Sequence, residues 1–141
     1  MKISTKGRYG LRLMIELAKN FNKGPVLLKD VANNQSISLK YLEQIIIPLK
    51  NSGLVISKRG KKGGYILTRS PEEITLNEII TVLEGEMNIV DCVKFPEICD
   101  NSNSCLSKKI WDEINTKIEN ILKSHTLKDL IEIEEGEIKC N

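Results

Sequence analysis

Residues 38–68, SLKYLEQIIIPLKNSGLVISKRGKKGGYILT, change their hydrophobic period in mid-course, and few folds accommodate that change. Leu39, Leu42, Ile46 and Leu49 recur at helical spacing and predict a core face, with Lys40, Tyr41, Glu43, Gln44 and Lys50 lying off that stripe. After Gly53 the period becomes two. Leu54 and Ile56 alternate against Val55 and Ser57, and Tyr65 and Leu67 alternate on a returning strand. Between the strands, Lys58-Arg59-Gly60-Lys61-Lys62-Gly63-Gly64 places four cations within five residues, at a tip where glycine permits positive φ. A helix with an exposed polar face, followed directly by a basic hairpin, is the pattern of a winged helix-turn-helix. Such a unit is built to bind DNA.

The charge distribution points the same way. The formal net charge of +2 conceals a division: residues 1–70 carry 14 Lys or Arg against 3 Asp or Glu, a formal +11, whereas residues 71–141 carry 7 against 16, a formal −9. The first half attracts a polyanion and the second repels one. A charge run often does no more than solvate a turn, but here the hairpin setting and the basic half favour contact with DNA. No apolar run approaches the ~20 residues that span a bilayer, and the N-terminus lacks an apolar signal segment, so a cytoplasmic protein without a membrane partner is expected. Four cysteines in that compartment point to metal or redox chemistry in preference to a disulfide framework.

Local signals divide the 141 residues further. Residues 5–21 read as a helix whose Leu13, Met14, Leu17, Ala18 and Phe21 face a core, ended by Gly24-Pro25. A short helix over 27–34 and the turn Asn33-Asn34-Gln35-Ser36 precede Ser38, an N-cap for the recognition helix. Pro48 removes the amide that would bond to the carbonyl of Gln44, which predicts a kink or an early end near Ile47. Thr75 and Glu78 form a capping box that opens a helix through Leu83, closed by Gly85. From Trp111, the residues Ile114, Ile118, Ile121 and His125 recur at spacings of three and four. Periodicity fits a dimerisation helix and a helix covering the subunit's own core equally well. The expected organisation is therefore mainly α with a small β-hairpin wing. The winged helix-turn-helix occupies 1–70, a connecting helix 71–85, a cysteine-bearing loop 86–104 and a long dimerisation helix 105–125. A short helix and a mobile acidic tail fill 126–141.

SLKYLEQ, then GL, then RG followed by GGY resemble the Rrf2 family of bacterial winged-helix transcriptional regulators. KISTKGRYGLRLM, from Lys2 to Met14, resembles that family's first helix. The cysteine loop and the long helix after residue 90 resemble its IscR-like branch of iron-sulfur cluster regulators, so the likeness covers nearly the whole chain. The resemblance implies a homodimer with crossed long helices on an inverted-repeat operator of double-stranded DNA. It also implies that Arg59 enters the minor groove while Lys61 and Lys62, with Lys58 beside them, meet phosphates. Tyr41 and Gln44 are the candidates for base reading, and Lys40 for a phosphate or guanine contact. Glu43 could accept from a cytosine amino group, repel other bases, or pair with a neighbouring lysine. Arg8 and Tyr9 are candidate backbone contacts, with a core role for Tyr9 equally open.

Cys92, Cys99 and Cys105 form a C-x6-C-x5-C array. Thiolates are soft ligands for iron-sulfur clusters or zinc, and the absence of tight C-x2-C knuckles favours a cluster, whereas three free thiols on a loop would need no metal. The IscR-like resemblance implies a [2Fe-2S] cluster. It leaves the fourth ligand unknown, because Lys108 stands where that branch has a histidine, and lysine offers donors and no acceptor. Arg8 stands where the nitric-oxide-sensing branch has a carboxylate, and it too offers no acceptor. His125 lies 20 residues beyond Cys105, about 30 Å along a continuous helix, and cannot close the site within one subunit. Cys140 or an oxygen of Asp91, Glu97, Asp100 or Ser104 remain candidates, and Cys140 is equally an inert tail cysteine.

No GxSxG elbow, P-loop or second histidine is present, so no enzyme is expected. The functional expectation is a DNA-binding transcriptional regulator, a repressor in type, that senses iron-sulfur cluster status or redox stress. The alternatives are a cluster-free thiol redox regulator and a metal-binding interaction or cluster-carrier protein.

Overall fold

The computed structural model describes the backbone of residues 2–140 and the side chains through residue 136. Its elements run α1 (Thr5–Lys19), α2 (Leu28–Gln35), α3 (Leu39–Asn51), β1 (Val55–Lys58), β2 (Gly64–Leu67), α4 (Leu76–Glu84), α5 (Asp91–Lys94), α6 (Leu106–Ser124) and α7 (Leu127–Cys140), with short 3-10 turns at Pro71–Glu73 and Pro96–Ile98. The core gathers Leu13, Met14 and Leu17 of α1, Val31 of α2, Leu42, Ile45 and Leu49 of α3, and Ile79 of α4, all almost fully shielded from solvent. Apolar burial of this kind is the main source of the fold's stability.

Local chemistry sets several boundaries as expected. The Ser38 hydroxyl accepts from the Tyr41 amide at 3.3 Å and caps α3. Thr75 and Glu78 cap α4 reciprocally: Glu78 N donates to Thr75 Oγ1 at 3.2 Å, and Thr75 N donates to Glu78 Oε2 at 3.0 Å. Gly85 closes α4 at φ 79°, in the left-handed region.

Other expectations need correction. Helix α1 stops at Lys19, and Phe21 lies half-buried in the following turn. Pro48 neither ends nor shortens α3, which continues to Asn51. The carbonyl that Pro48 deprives of an amide partner belongs to Gln44, an exposed residue, so the loss falls where solvent has access. Leu39 is 40% exposed and Ile45 only 1%. As the first helical residue, Leu39 leans toward the N-terminus and beyond the core, and the buried stripe is Leu42, Ile45, Ile46 and Leu49. The hairpin buries its base in place of an alternating face: Leu54 and Leu67 are buried as their positions predict, Val55 is buried beside them, and β1 beyond Val55 is exposed. Val55 pairs with Leu67 and both are buried, while Ile56 pairs with Ile66 and is 41% exposed. The hairpin also gains a third edge, since Val26 N donates to Tyr65 O at 2.9 Å and Tyr65 N to Val26 O at 2.8 Å. Gly64 permits that approach, because a Cβ there would lie 2.5 Å from the Val26 oxygen.

The expected short helix after residue 126 is the start of α7, which runs on to Cys140. Helix α7 packs its fully buried Leu127 and half-buried Ile131 against the amino-terminal half, and Lys19 Nζ lies 2.8 Å from Glu134 Oε2. The turn between α6 and α7 is stitched to α4: Leu76 N donates to His125 O at 2.9 Å and Leu127 N to Ile74 O at 3.0 Å.

Gly7 and Gly10 of α1 allow the end of α4 to come close. A Cβ on Gly10 would lie 2.2 Å from Leu83 Cδ1 and 3.3 Å from Ile45 Cγ2, both in the packed core. Gly10→Ala is therefore expected to destabilise the protein by about 1–3 kcal/mol through overpacking. Urea unfolding should show a lower midpoint at unchanged slope, and an unchanged midpoint would mean that α4 yields without cost.

Candidate DNA interface and cysteine loop

Two positively charged features protrude from the amino-terminal half. On α3, Lys40, Glu43 and Gln44 are exposed. Tyr41 is half-buried: its ring meets Tyr9 edge-on, with centroids 5.9 Å apart and planes at 84°. Tyr9 therefore supports the recognition helix from α1, packed against the core. Arg8 is exposed one residue earlier, its guanidinium 5.9 Å from the Tyr9 ring centroid and Nη2 donating to Thr5 Oγ1 at 3.1 Å.

The second feature is the wing. Lys58 ends β1 opposite Gly64, and Arg59, Lys61 and Lys62 occupy the connecting turn, all exposed. Gly60 takes φ 112°, and its carbonyl accepts from Gly63 N at 3.0 Å, which fixes the tip. Among the described residues none of these four cations pairs with an acid. Uncompensated, exposed cations at a hairpin tip suit phosphate contact.

The cysteine loop leaves α4 at Gly85 and reaches α6 through α5 and the 3-10 turn. Cys92 falls within α5, Cys99 follows the 3-10 turn, and Cys105 is the N-cap residue of α6. All three are free thiols; Cys99 is exposed and the other two partly so. The Cys105 sulfur lies 3.1 Å from Ser107 Oγ. That hydroxyl, together with the Lys108 backbone amide and the Lys108 charge, holds the Cys105 thiol below the usual thiol range and favours thiolate. Lys108 itself donates to the buried Ser102 hydroxyl at 2.8 Å, so it braces the loop. Among the described residues no three His, Cys, Asp or Glu side chains stand together as a metal cage. The donor set nevertheless fits a soft metal or a cluster, because three unpaired thiols share one loop with solvent access. The side chain of Cys140 lies outside the described residues, and His125 is the C-cap residue of α6.

Helix α6 contains no fully buried residue. Leu106 (79%), Ile110 and Ile121 (57%) are exposed, with half-buried Ile114 beside them, while Asn115, Ile118 and Leu122 turn toward α4 and line a groove with Ile80 and Thr81. Of the residues that periodicity picked out, Trp111 and Ile121 are exposed and Ile114 is half-buried, while Ile118 lines the groove toward α4.

Some structural residues carried no sequence signal. Val26 is joined to the wing by two backbone bonds to Tyr65, and Arg12, Glu16 and Gln35 form a side-chain bridge across 23 residues of chain. Only hydrogen-bonding groups at unremarkable positions mark them.

A recognition helix set against a basic hairpin on a shared core defines a winged helix-turn-helix DNA-binding protein. The family model for Rrf2, an iron-dependent transcriptional regulator, matches residues 3–133. The regulator CymR of Bacillus subtilis is 44% identical over 137 residues, covering 97% of this chain and 94% of CymR. Its solved structure, described as the global cysteine regulator, aligns with TM-score 0.81 at 45% identity over 92% of this chain and 95% of that one. T. potens IscR aligns with TM-score 0.78 at 40% identity, covering 95% of this chain and 88% of its own. An oxidized form of Staphylococcus aureus CymR aligns with TM-score 0.74 at 43% identity over 92% and 95% of the two chains. The chain belongs to the Rrf2 family of DNA-binding transcriptional regulators. Its relatives are regulators and not enzymes. Among the described residues no helix is long and apolar enough to cross a membrane.

Proposed function

We propose that the protein is a cytoplasmic homodimer that binds an inverted-repeat operator through α3 and the wing, and whose DNA affinity depends on a [2Fe-2S] cluster held by Cys92, Cys99 and Cys105. One observation carries this reading: the three free thiols lie on the loop that joins α4, packed on the DNA-binding core, to α6 with its exposed apolar stripe. A change in that loop has a short path to the separation of two recognition helices in a dimer. When bound, a cluster supplies reversible one-electron chemistry and sensitivity to iron supply. The protein's own part is to present three sulfur donors, with Cys105 biased toward thiolate by Ser107 and Lys108.

A second reading, a thiol redox regulator without a cluster, is favoured by Lys108. It occupies the fourth position and is engaged with Ser102, while the described residues assemble no metal cage. Protein purified without oxygen separates the two. The cluster reading expects visible absorbance with matched iron and sulfide, lost in Cys92→Ala, Cys99→Ala and Cys105→Ala and retained in Cys140→Ala. Colourless protein with no iron or sulfide overturns it, and loss of colour in Cys140→Ala moves the tail cysteine into the ligand set.

A further inference from the structure

The buried carboxylate of Glu16, 8% exposed, sits behind the helix-turn-helix and touches no candidate DNA-contacting residue. Gln35 Nε2 donates to Glu16 Oε1 at 2.6 Å, and Asn34 Nδ2 lies 3.5 Å from Glu16 Oε2. On its other side, Gln35 accepts twice from Arg12: Nε reaches Gln35 Oε1 at 2.8 Å and Nη2 reaches the Gln35 carbonyl at 2.5 Å. Gln35 is the last residue of α2, and Ser36 follows in the left-handed region at φ 54°. Ser38 then caps α3. The Arg12 guanidinium stands 5.4 Å from the Tyr9 ring centroid, and Tyr9 meets Tyr41 of α3 edge-on. A connected path of contacts thus runs from Glu16 through Gln35, Arg12 and Tyr9 to the recognition helix.

We propose that Gln35 is a positioning residue for operator recognition: its amide joins Arg12 to Glu16 across the helix-turn-helix turn and sets the orientation in which α3 presents Tyr41 and Gln44. The residue type follows from the two neighbours. A neutral amide donates to a carboxylate through its NH2 and accepts from a guanidinium through its oxygen, at the ends of one planar group long enough to reach both. Base-edge hydrogen bonds fail once stretched past about 3.5 Å, whereas attraction to phosphates decays slowly with distance. Loss of the bridge therefore removes sequence discrimination and leaves general DNA affinity, a separation that mere loss of stability does not produce. The inference rests on α3 being the base-reading helix.

The test titrates full-length protein against a duplex selected by the wild type and a scrambled duplex at the same salt. Gln35→Met keeps the length and removes the side-chain bridge to Glu16 and Arg12 Nε, leaving only the Arg12 bond to the backbone carbonyl; it is expected to lose about tenfold or more on the selected duplex and to stay within about twofold on the scrambled one. Gln35→Glu sets two carboxylates together and is expected to lose at least as much. In the double variant Gln35→Glu/Glu16→Gln, donor and acceptor are exchanged and the bridge re-forms, so the selected-to-scrambled ratio should return to within about threefold of wild type. If Gln35→Met fails to fold, the double variant carries the test. A preserved ratio in Gln35→Met, or a folded double variant without recovery, overturns the proposal. Gln44→Ala, exposed and outside the bridge, tests the base-reading role of α3 by itself; an unchanged ratio there removes the premise and the inference with it.

Discussion

Ile121→Glu is expected to turn the proposed dimer into a monomer at micromolar concentration. Ile121 is 57% exposed on α6, in line with Leu106 and Ile110, and no element of its own subunit covers that stripe among the described residues. In a dimer seam the new carboxylate would be buried without a partner, a cost of several kcal/mol. DNA binding should weaken with it. Two linked half-site readers gain about 10²–10⁴ over one, and a monomer forfeits that gain on an inverted repeat. Ile118→Glu is the less direct probe, since Ile118 lines the groove toward α4 and its charge would disturb the subunit's own packing. Sedimentation equilibrium provides the measurement. A folded Ile121→Glu protein that remains dimeric sinks the assignment of this face.

Replacing Lys58, Arg59, Lys61 and Lys62 together by alanine should abolish most of the salt-dependent part of DNA binding. Each phosphate contact contributes about 0.9 unit to the slope of log affinity against log salt, so three contacts on each of two wings correspond to about 5 units. Arg59→Ala alone is expected to relax preference at the outer A/T-type positions of each half-site, while Lys62→Ala lowers affinity uniformly and reduces the slope by about one unit per contact. Since these side chains are exposed and pair with no acid among the described residues, the fold should be unaffected. Anisotropy titrations across a salt series measure both effects, and a slope equal to wild type in the quadruple variant would exclude the wing from the interface.

The Ser38 cap, the Thr75–Glu78 capping box, the stop at Gly85 and the basic hairpin tip were all legible in the sequence. Each depends on groups within a few residues of one another, where spacing alone fixes geometry. The cysteine array was legible for the same reason. Its ligand set was not, because closing a site around a metal requires donors whose approach the chain's local rules leave open.

The core face of α1 was legible from its spacing, since Leu13, Met14, Leu17 and Ala18 are all buried, but the inward side of α3 and of β1 was settled only in three dimensions. Periodicity located α3 and β1, but long-range packing chose Ile45 over Leu39 and Val55 over Ile56, since a stripe's phase is fixed by the surface it meets. Tertiary structure likewise joined Val26 to Tyr65, docked α7 on α1, left one face of α6 uncovered and brought Gln35 between Arg12 and Glu16. The sequence by itself determined a basic winged helix with a three-thiol loop, because helix periods, caps, turns and charge are properties of neighbouring residues. The pairing of distant faces and the satisfaction of buried polar groups were decided by the fold, because those energies exist only after remote segments have excluded water between them.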